Sequence, residues 1–207
     1  MQALLLATGV IQGAALFAAG PQENDKPRAS SRVQTAVRDG MTLRVRPVVV
    51  QAPPRLAQAP APSGDAIALA NQYRRKGYKL SDQLAREIYT AAVDNGIDPK
   101  IAFGLVRTES EFKDRATSRV GAIGLTQLMV PTARWFKKGA TEADLRDSRT
   151  NLRIGFRYLN ELRTRYKGDL ELALLAYNRG SGTVDRVLER GGDPNNGYVE
   201  KVMGGGE

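Results

Sequence analysis

The sequence predicts an all-α domain over residues 65–207, preceded by an apolar N-terminal segment, residues 1–20, and a Pro/Ala/Arg-rich linker, residues 21–64. Three observations predict it. Beyond Asp65 the apolar residues recur three and four positions apart, as in Leu152, Phe156, Leu159, Leu162 and Tyr166, the period of a helix with one buried face. No window alternates with period two for long enough to make a sheet. Helix-opening and helix-closing residues flank the apolar runs at the expected places.

The elements follow in order. Leu4 to Ala19 is apolar and ends in Ala18-Ala19-Gly20 before the polar run Pro21-Gln22-Glu23-Asn24, the shape of a secretory signal with a small-residue cleavage site. No Lys or Arg precedes that run, and it is short of the about 20 apolar residues that span a ~30 Å hydrocarbon core. It reads as a signal peptide or membrane anchor, either of which puts the rest of the chain outside the cytoplasm, or as a buried or partner-contacting helix. Residues 21–64 hold Pro53-Pro54 and Ala59-Pro60-Ala61-Pro62, with too little large apolar surface to offset their ordering entropy. They read as a disordered, semi-stiff tether. Thr42 to Val50 is either a strand that pairs with a partner or a sticky piece of that tether.

In the helical region Ser81 precedes Leu84, Ile88, Ala91 and Ala92, and Gly96 follows Asn95, which predicts a capped helix of about 14 residues. Asp98-Pro99 opens the next helix, with Asp as its cap and Pro at its first position. Gly121 and Gly124 bracket a turn in which backbone can approach a ligand, with Ser118, Thr126 and Gln127 as nearby polar side chains. Leu170, Ala173, Leu174 and Tyr177 again recur at helical spacing.

Composition limits the chemistry. The 207 residues include no His and no Cys, which excludes Ser-His-Asp and Cys-His catalysis, imidazole or thiolate zinc sites and disulfides. Any catalysis must use carboxylates, hydroxyls, Lys or Tyr. The net charge of +9 suits an anionic partner, but residues 21–64 carry +4 of it and residues 65–207 only +5, with signs interspersed. Arg74-Arg75-Lys76, followed by Asp82 and Glu87, reads as a solvated face. No nucleic-acid-binding signature accompanies the charge, so nucleic acid is not an expected partner.

One residue points to chemistry. In the Pro99 helix, Ile101, Ala102, Leu105 and Val106 form the apolar stripe, and Glu109 falls three and four positions after the last two, on the core-facing side. Glu111 lies about 200° further round and should face water. A carboxyl at the end of an apolar stripe loses hydration of its charged form, stays protonated near neutral pH and can serve as a general acid. On spacing alone the favoured reading of Glu109 is a buried carboxyl satisfied by Arg or backbone.

The sequence from Glu109 to Ala133, ESEFKDRATSRVGAIGLTQLMVPTA, and that from Ala173 to Val184, ALLAYNRGSGTV, together resemble the catalytic domain of the soluble lytic transglycosylases, a lysozyme-like family acting on peptidoglycan. The resemblance runs from about Ile88 to Val202. It rests on Glu109-Ser110, on Ala116-x-Ser118-x-x-Gly121-Ala122-x-Gly124-Leu125 with Gln127-Leu128-Met129, on Asn151, Gly155, Tyr158 and Leu159, and on Ala176-Tyr177-Asn178. Tyr198-Val199 and Lys201-Val202 resemble its closing helix. The resemblance implies a lysozyme-like fold in which Glu109 is the single acid/base, Tyr177 holds its carboxyl, and Ser118, Gln127, Met129, Tyr177 and Asn178 line the groove around the sugar. Taken alone, Met129 and Tyr177 read first as core residues, and the motif favours the site. Thr126 departs from the pattern where Met is usual, Val130-Pro131 shifts a proline by one place, and Arg179 and Ser181 replace a small residue and a proline.

The implied reaction cleaves the bond between N-acetylmuramic acid and N-acetylglucosamine through attack by the muramyl 6-hydroxyl, giving 1,6-anhydro ends. A single carboxyl suffices because proximity replaces a water-activating base. Two other readings are hydrolysis of the same bond, with Asp114 or Asp147 placing a water, and a non-catalytic glycan-binding anchor of an envelope or virion assembly. The expected partner is the peptidoglycan glycan strand, with membrane association through residues 1–20. No metal or cofactor is expected, the expected state is a monomer, and the expected location is the periplasm or cell envelope.

Overall fold

The structure is a computed structural model that describes residues 63–204. The expectations for residues 1–20, for the linker and for the Thr42 to Val50 run lie outside the described residues. Helix follows helix through the described chain: α1 Ser63–Arg75, α2 Asp82–Asp94, α3 Pro99–Ser110, α4 Val130–Phe136, α5 Glu142–Arg146, α6 Ser148–Arg165, α7 Leu170–Arg179, α8 Ser181–Glu189 and α9 Tyr198–Met203. Among the described residues, extended pairing is limited to two isolated bridges, Thr117 with Ile123 and Ile123 with Leu128. The all-α expectation holds.

The helix ends are set by the residues that predict them. The Ser81 hydroxyl accepts the Leu84 N–H at 3.1 Å, and the Asp98 carboxylate accepts the Lys100 N–H at 2.7 Å with Pro99 next to it. Asp147 and Asp169 cap α6 and α7 in the same way, accepting from the N–H of Thr150 and Leu172. Each such cap satisfies a donor that the helix itself cannot, about 1 kcal/mol apiece. Tyr166, counted above with the apolar repeat, is the C-cap of α6, and its hydroxyl donates to Asp185 at 2.8 Å. The short helix α5 is fixed by a reciprocal capping box between Thr141 and Asp144, a local signal with no long apolar run beside it.

Two apolar clusters hold the helices. The larger gathers α1, α2, α3, α6, α7, α8 and α9 around Phe103, Leu105, Phe156, Leu159 and Leu174, all fully buried. Each such side chain contributes about 1.5–3 kcal/mol by leaving water. The smaller gathers Ile123, Leu128, Ala133, Leu145 and Ile154, joining α4, α5 and the central loop to one side of α6. Tyr158 packs against both. In helix α3, Ala102 to Val106 are buried without interruption, a wider burial than the predicted stripe, because α1, α2 and α9 all pack on it.

Candidate active site

Helix α3 carries Glu109 one residue from its C-terminal end. Beyond it the chain reverses through two successive non-glycine residues in the left-handed region, Glu111 at φ 53° and Phe112 at φ 64°. Such conformations are disfavoured for residues with a side chain. They are held here by the burial of Phe112, whose ring meets those of Tyr73, Tyr78 and Phe103 at 5.1, 5.7 and 6.4 Å. Glu111 is exposed and paired with Lys113, but it lies past the last residue of α3 in left-handed backbone rather than on the outer face of the helix as expected.

Glu109 is half-buried, and enough protein surrounds its carboxyl to cost the charged form hydration. Burial pushes its pKa up to about 7, and a hydrogen bond from the Tyr198 hydroxyl to Oε1 pulls in the opposite direction. Desolvation wins, so the carboxyl is close to half protonated at neutral pH.

Tyr198 reaches Glu109 because α9 lies directly on α3. A Cβ on Gly104 would sit 2.1 Å from the Val202 carbonyl oxygen, so only glycine permits this approach. The Arg107 guanidinium donates to the Lys201 carbonyl and fixes the register of the two helices. The loop before α9 is tied back to the end of α7: the Asn196 amide donates to Asn178 Oδ1 at 2.9 Å, and the Arg179 guanidinium donates to the Pro194 carbonyl. Arg179, one of the departures from the family pattern, thus anchors the segment that delivers Tyr198.

The loop from Ala116 to Met129 forms the other side. Ser110 Oγ lies 3.0 Å from the Val106 carbonyl and 2.9 Å from that of Leu125, which docks the loop on α3. Asn151, fully buried on α6, accepts from the Thr126 N–H at 2.9 Å and the Thr126 hydroxyl at 2.7 Å. Its amide nitrogen donates to the carbonyls of Ile123 and Leu145, both at 2.9 Å. Thr126 therefore completes a buried polar clamp at the position where the family pattern has Met. A Cβ on Gly155 would fall 2.4 Å from its Oγ1, and one on Gly124 would fall 2.4 Å from Asn151 Nδ2.

The expected site residues divide into two groups. Tyr177 is buried, and that burial pushes its pKa well up, with the charge of Glu109 adding in the same direction. Its hydroxyl, however, donates to the Thr126 carbonyl at 2.8 Å. The expectation that Tyr177 holds the carboxyl is thereby corrected: its one proton is committed to the loop, and Tyr198 makes the bond. Gln127, at φ 48°, donates its amide to the Gly124 carbonyl at 2.9 Å, within the same loop. Ser118 accepts the Ala122 N–H at 3.0 Å and shapes the turn, Met129 is the half-buried N-cap of α4, and Asn178 supports the α9 loop. The hydrogen bonds of these three do not reach Glu109. Of the alternative second carboxylates, Asp147 is spent on its cap, with the Thr150 contacts holding its pKa below the usual range, and Asp114 is exposed. A separate concavity of about 800 Å³ lies between α2 and α6, lined in part by Arg86, Glu87, Arg149 and Arg153, and holds none of the expected site residues.

Residues 87–198 match the sequence model of the family described as the transglycosylase SLT domain. The chain belongs to that family. The match begins within α2 and ends at Tyr198, so it includes both partners of the Tyr198–Glu109 bond and leaves α1 outside. Among curated relatives, this SLT domain chain is 39% identical over 116 residues to a protein named transglycosylase from Enterobacteria phage PRD1, covering 56% of this chain and 40% of that one. It is 30% identical over 132 residues to membrane-bound lytic murein transglycosylase C of Edwardsiella ictaluri, covering 57% and 36%. The chain thus spans less than half the length of these relatives. Among solved structures it is similar to an inactive variant of lytic transglycosylase Slt from Pseudomonas aeruginosa, with TM-score 0.47, 29% identity, and coverage of 56% of this chain and 20% of that one. It is also similar to the 70 kDa soluble lytic transglycosylase of Escherichia coli, with TM-score 0.48, 23% identity, and coverage of 68% and 25%.

Sequence reasoning missed the role of Tyr198. It follows Glu109 by 89 residues, and only the close approach of α9 at Gly104 brings them together. The local signal was present in Gly197-Tyr198-Val199, a tyrosine opening a short apolar helix in an SLT domain, but no spacing rule connects it to α3.

Proposed function

We propose that this chain cleaves the glycosidic bond between N-acetylmuramic acid and N-acetylglucosamine in peptidoglycan by intramolecular transglycosylation, with Glu109 as the one acid and base. The observation that carries the reading is a half-buried carboxyl whose pKa burial raises to about 7. In the first step protonated Glu109 gives its proton to the glycosidic oxygen as the bond to the muramyl anomeric carbon breaks, and N-acetylglucosamine leaves with a free 4-hydroxyl. In the second step the Glu109 carboxylate takes the proton of the muramyl 6-hydroxyl, whose oxygen bonds the anomeric carbon. The carboxyl ends protonated, the product is a 1,6-anhydromuramyl end, and no water is consumed.

A pKa near the working pH suits a group that must serve in both directions. The Tyr198 hydroxyl supports the carboxylate formed between the two steps, while the surrounding burial favours its reprotonation. The capping role of Asp147 counts against it as the water-placing base of a hydrolase. Ser118, Gln127, Met129, Tyr177 and Asn178 form the surrounding groove in this reading, with Asn178 also holding the α9 loop. The wider organisation belongs to the same proposal: residues 1–20 as signal or anchor, residues 21–64 as tether, and residues 65–207 as a monomeric catalytic domain working in the periplasm or envelope.

The test is Glu109→Gln, which keeps the shape and the acceptor for Tyr198 but removes the titrating proton. The full chain carrying it should fold and release no soluble fragments from purified peptidoglycan. Undiminished release by the pure variant would refute the assignment.

A further inference from the structure

The concavity between α2 and α6 takes Arg86, Glu87, Thr90 and Asp94 from one helix and Arg149 and Arg153 from the other. The α2 residues recur three and four positions apart, so one stripe of that helix faces the cleft, and the two α6 arginines stand one turn apart on the other wall. Glu87 is the fixed point. Its side chain is 14% exposed, and its Oε1 accepts from Gln83 Nε2 and from Arg149 Nε, each at 3.1 Å. Arg149 spends only Nε on that bond, so its terminal nitrogens remain for a ligand. Arg153 is exposed and takes part in no hydrogen bond or ion pair among the described residues. Arg86 Nη2 lies 3.8 Å from Asp82, a weak surface pair. Asp147 feels the charge of Arg149 and Arg153, but its carboxylate is committed to the α6 cap.

We propose that this cleft binds a peptide carboxylate, with the Arg149 and Arg153 guanidinium groups as its donors, and that the ligand is the stem peptide carried by peptidoglycan. The identity of the peptide rests on the reading of Glu109 as the acid that cleaves peptidoglycan, whereas the carboxylate chemistry of the cleft does not. A planar guanidinium presents paired N–H donors that match the two oxygens of a carboxylate. The Glu87 bond orients Arg149 before any ligand arrives, so less freedom is lost on binding. The remaining charges narrow the class. Arg86, Arg149 and Arg153 stand against Glu87 and Asp94, so the lining carries one net positive charge. That is too little for a polyanion such as a phosphate-rich polymer and suits a ligand that mixes carboxylates with an amine. Asp94 lies about 10 Å beyond Glu87 along the α2 axis and offers its carboxylate to that amine. The lining holds no aromatic side chain on which a sugar ring could stack. Stem peptides have the required chemistry, being short, rich in carboxylates and, where uncrosslinked, furnished with a free side-chain amine. The cleft is therefore a second hold on the substrate, one that favours peptide-bearing strands and takes no part in proton transfer.

The test is calorimetric titration of the full chain with the free tripeptide L-Ala-γ-D-Glu-meso-diaminopimelate, which has no sugar and no bond for Glu109 to cleave. Binding should saturate, weaken about fivefold or more in Arg153→Gln, and recover only in part in Arg153→Lys, which keeps the charge and loses the fork. Arg153→Gln breaks no hydrogen bond or ion pair of the described fold, so its Tm should match that of the wild type. Acetylating the side-chain amine of the tripeptide should weaken binding to the wild type and leave binding to Asp94→Asn unchanged. On purified peptidoglycan, Arg153→Gln should raise KM about threefold or more while kcat stays within about twofold, and on strands stripped of peptide by an amidase both should be unchanged. No tripeptide binding, equal binding by Arg153→Gln, or an unchanged KM on peptidoglycan overturns the assignment. Tighter binding of polyphosphate than of the tripeptide, or no effect of acetylation on the wild type, overturns the mixed-charge class. A wild-type chain that binds the tripeptide through Arg153 but releases no fragments from peptidoglycan refutes the cleavage reading and leaves the carboxylate site standing.

Discussion

Glu109→Gln should make the protein more stable above neutral pH and leave it unchanged in acid. The folded carboxyl has its pKa raised to about 7, against 4.5 for the unperturbed group. Below pH 4.5 the group is protonated in both the folded and unfolded chain and costs nothing. Between 4.5 and 7 the unfolded chain ionises while the folded one holds its proton, so stability falls by about 1.4 kcal/mol per pH unit. Above 7 both are ionised and the loss levels off at about 3 kcal/mol, an upper figure because the side chain is partly open to water. Glutamine removes the ionisation and keeps an acceptor for Tyr198. Thermal unfolding of both chains followed by circular dichroism should give equal Tm at pH 4 and a Tm for the variant higher by roughly 5–10 °C at pH 8. Equal Tm at both pH values would show that Glu109 is not desolvated in the fold, and the argument for its proton-carrying role would lose its physical basis.

Three further outcomes follow from the same geometry. Tyr198→Phe removes the hydrogen bond that lowers the Glu109 pKa, so the decline of activity with rising pH should move up by about one pH unit or more, with a lower kcat, as read from a pH–rate profile. Gly104→Ala drives a methyl into the Val202 carbonyl and should cost about 1–3 kcal/mol in chemical denaturation, with loss of activity as α9 withdraws Tyr198. Asn151→Ala leaves the Thr126 N–H and the Leu145 carbonyl without their Asn151 partner in the interior, while the Ile123 carbonyl keeps only the Leu128 N–H, and should cost at least about 2–3 kcal/mol and loosen the loop against hydrogen exchange.

Much of the fold was legible because the sequence states it locally. Ser81, the Asn95-Gly96 pair and the Asp98-Pro99 pair set both ends of α2 and the start of α3 within a residue or two, and the apolar stripe of α3 put Glu109 on its inward side. Caps and periodicity act over one or two turns, so they can be read one segment at a time. The partners of Glu109 could not be read this way. Tyr177 and Tyr198 both lie near the carboxyl, and the choice between them depends on which hydroxyl meets a better acceptor, the Thr126 carbonyl or Oε1. That choice is set by the α3–α9 approach at Gly104 and by the docking of the loop through Ser110 and Asn151, all contacts between distant parts of the chain. The left-handed backbone of Glu111 and Phe112 was equally hidden, because neither residue type announces it and the aromatic cluster that offsets it forms only in the folded domain.

The central claim, that one carboxyl at position 109 drives cleavage without water, is tested most directly by mass spectrometry of purified peptidoglycan digested by the full chain in heavy-oxygen water. The account predicts soluble fragments with 1,6-anhydromuramyl ends and no heavy oxygen, and no fragments from Glu109→Gln. Reducing ends carrying heavy oxygen would contradict it and identify a hydrolase.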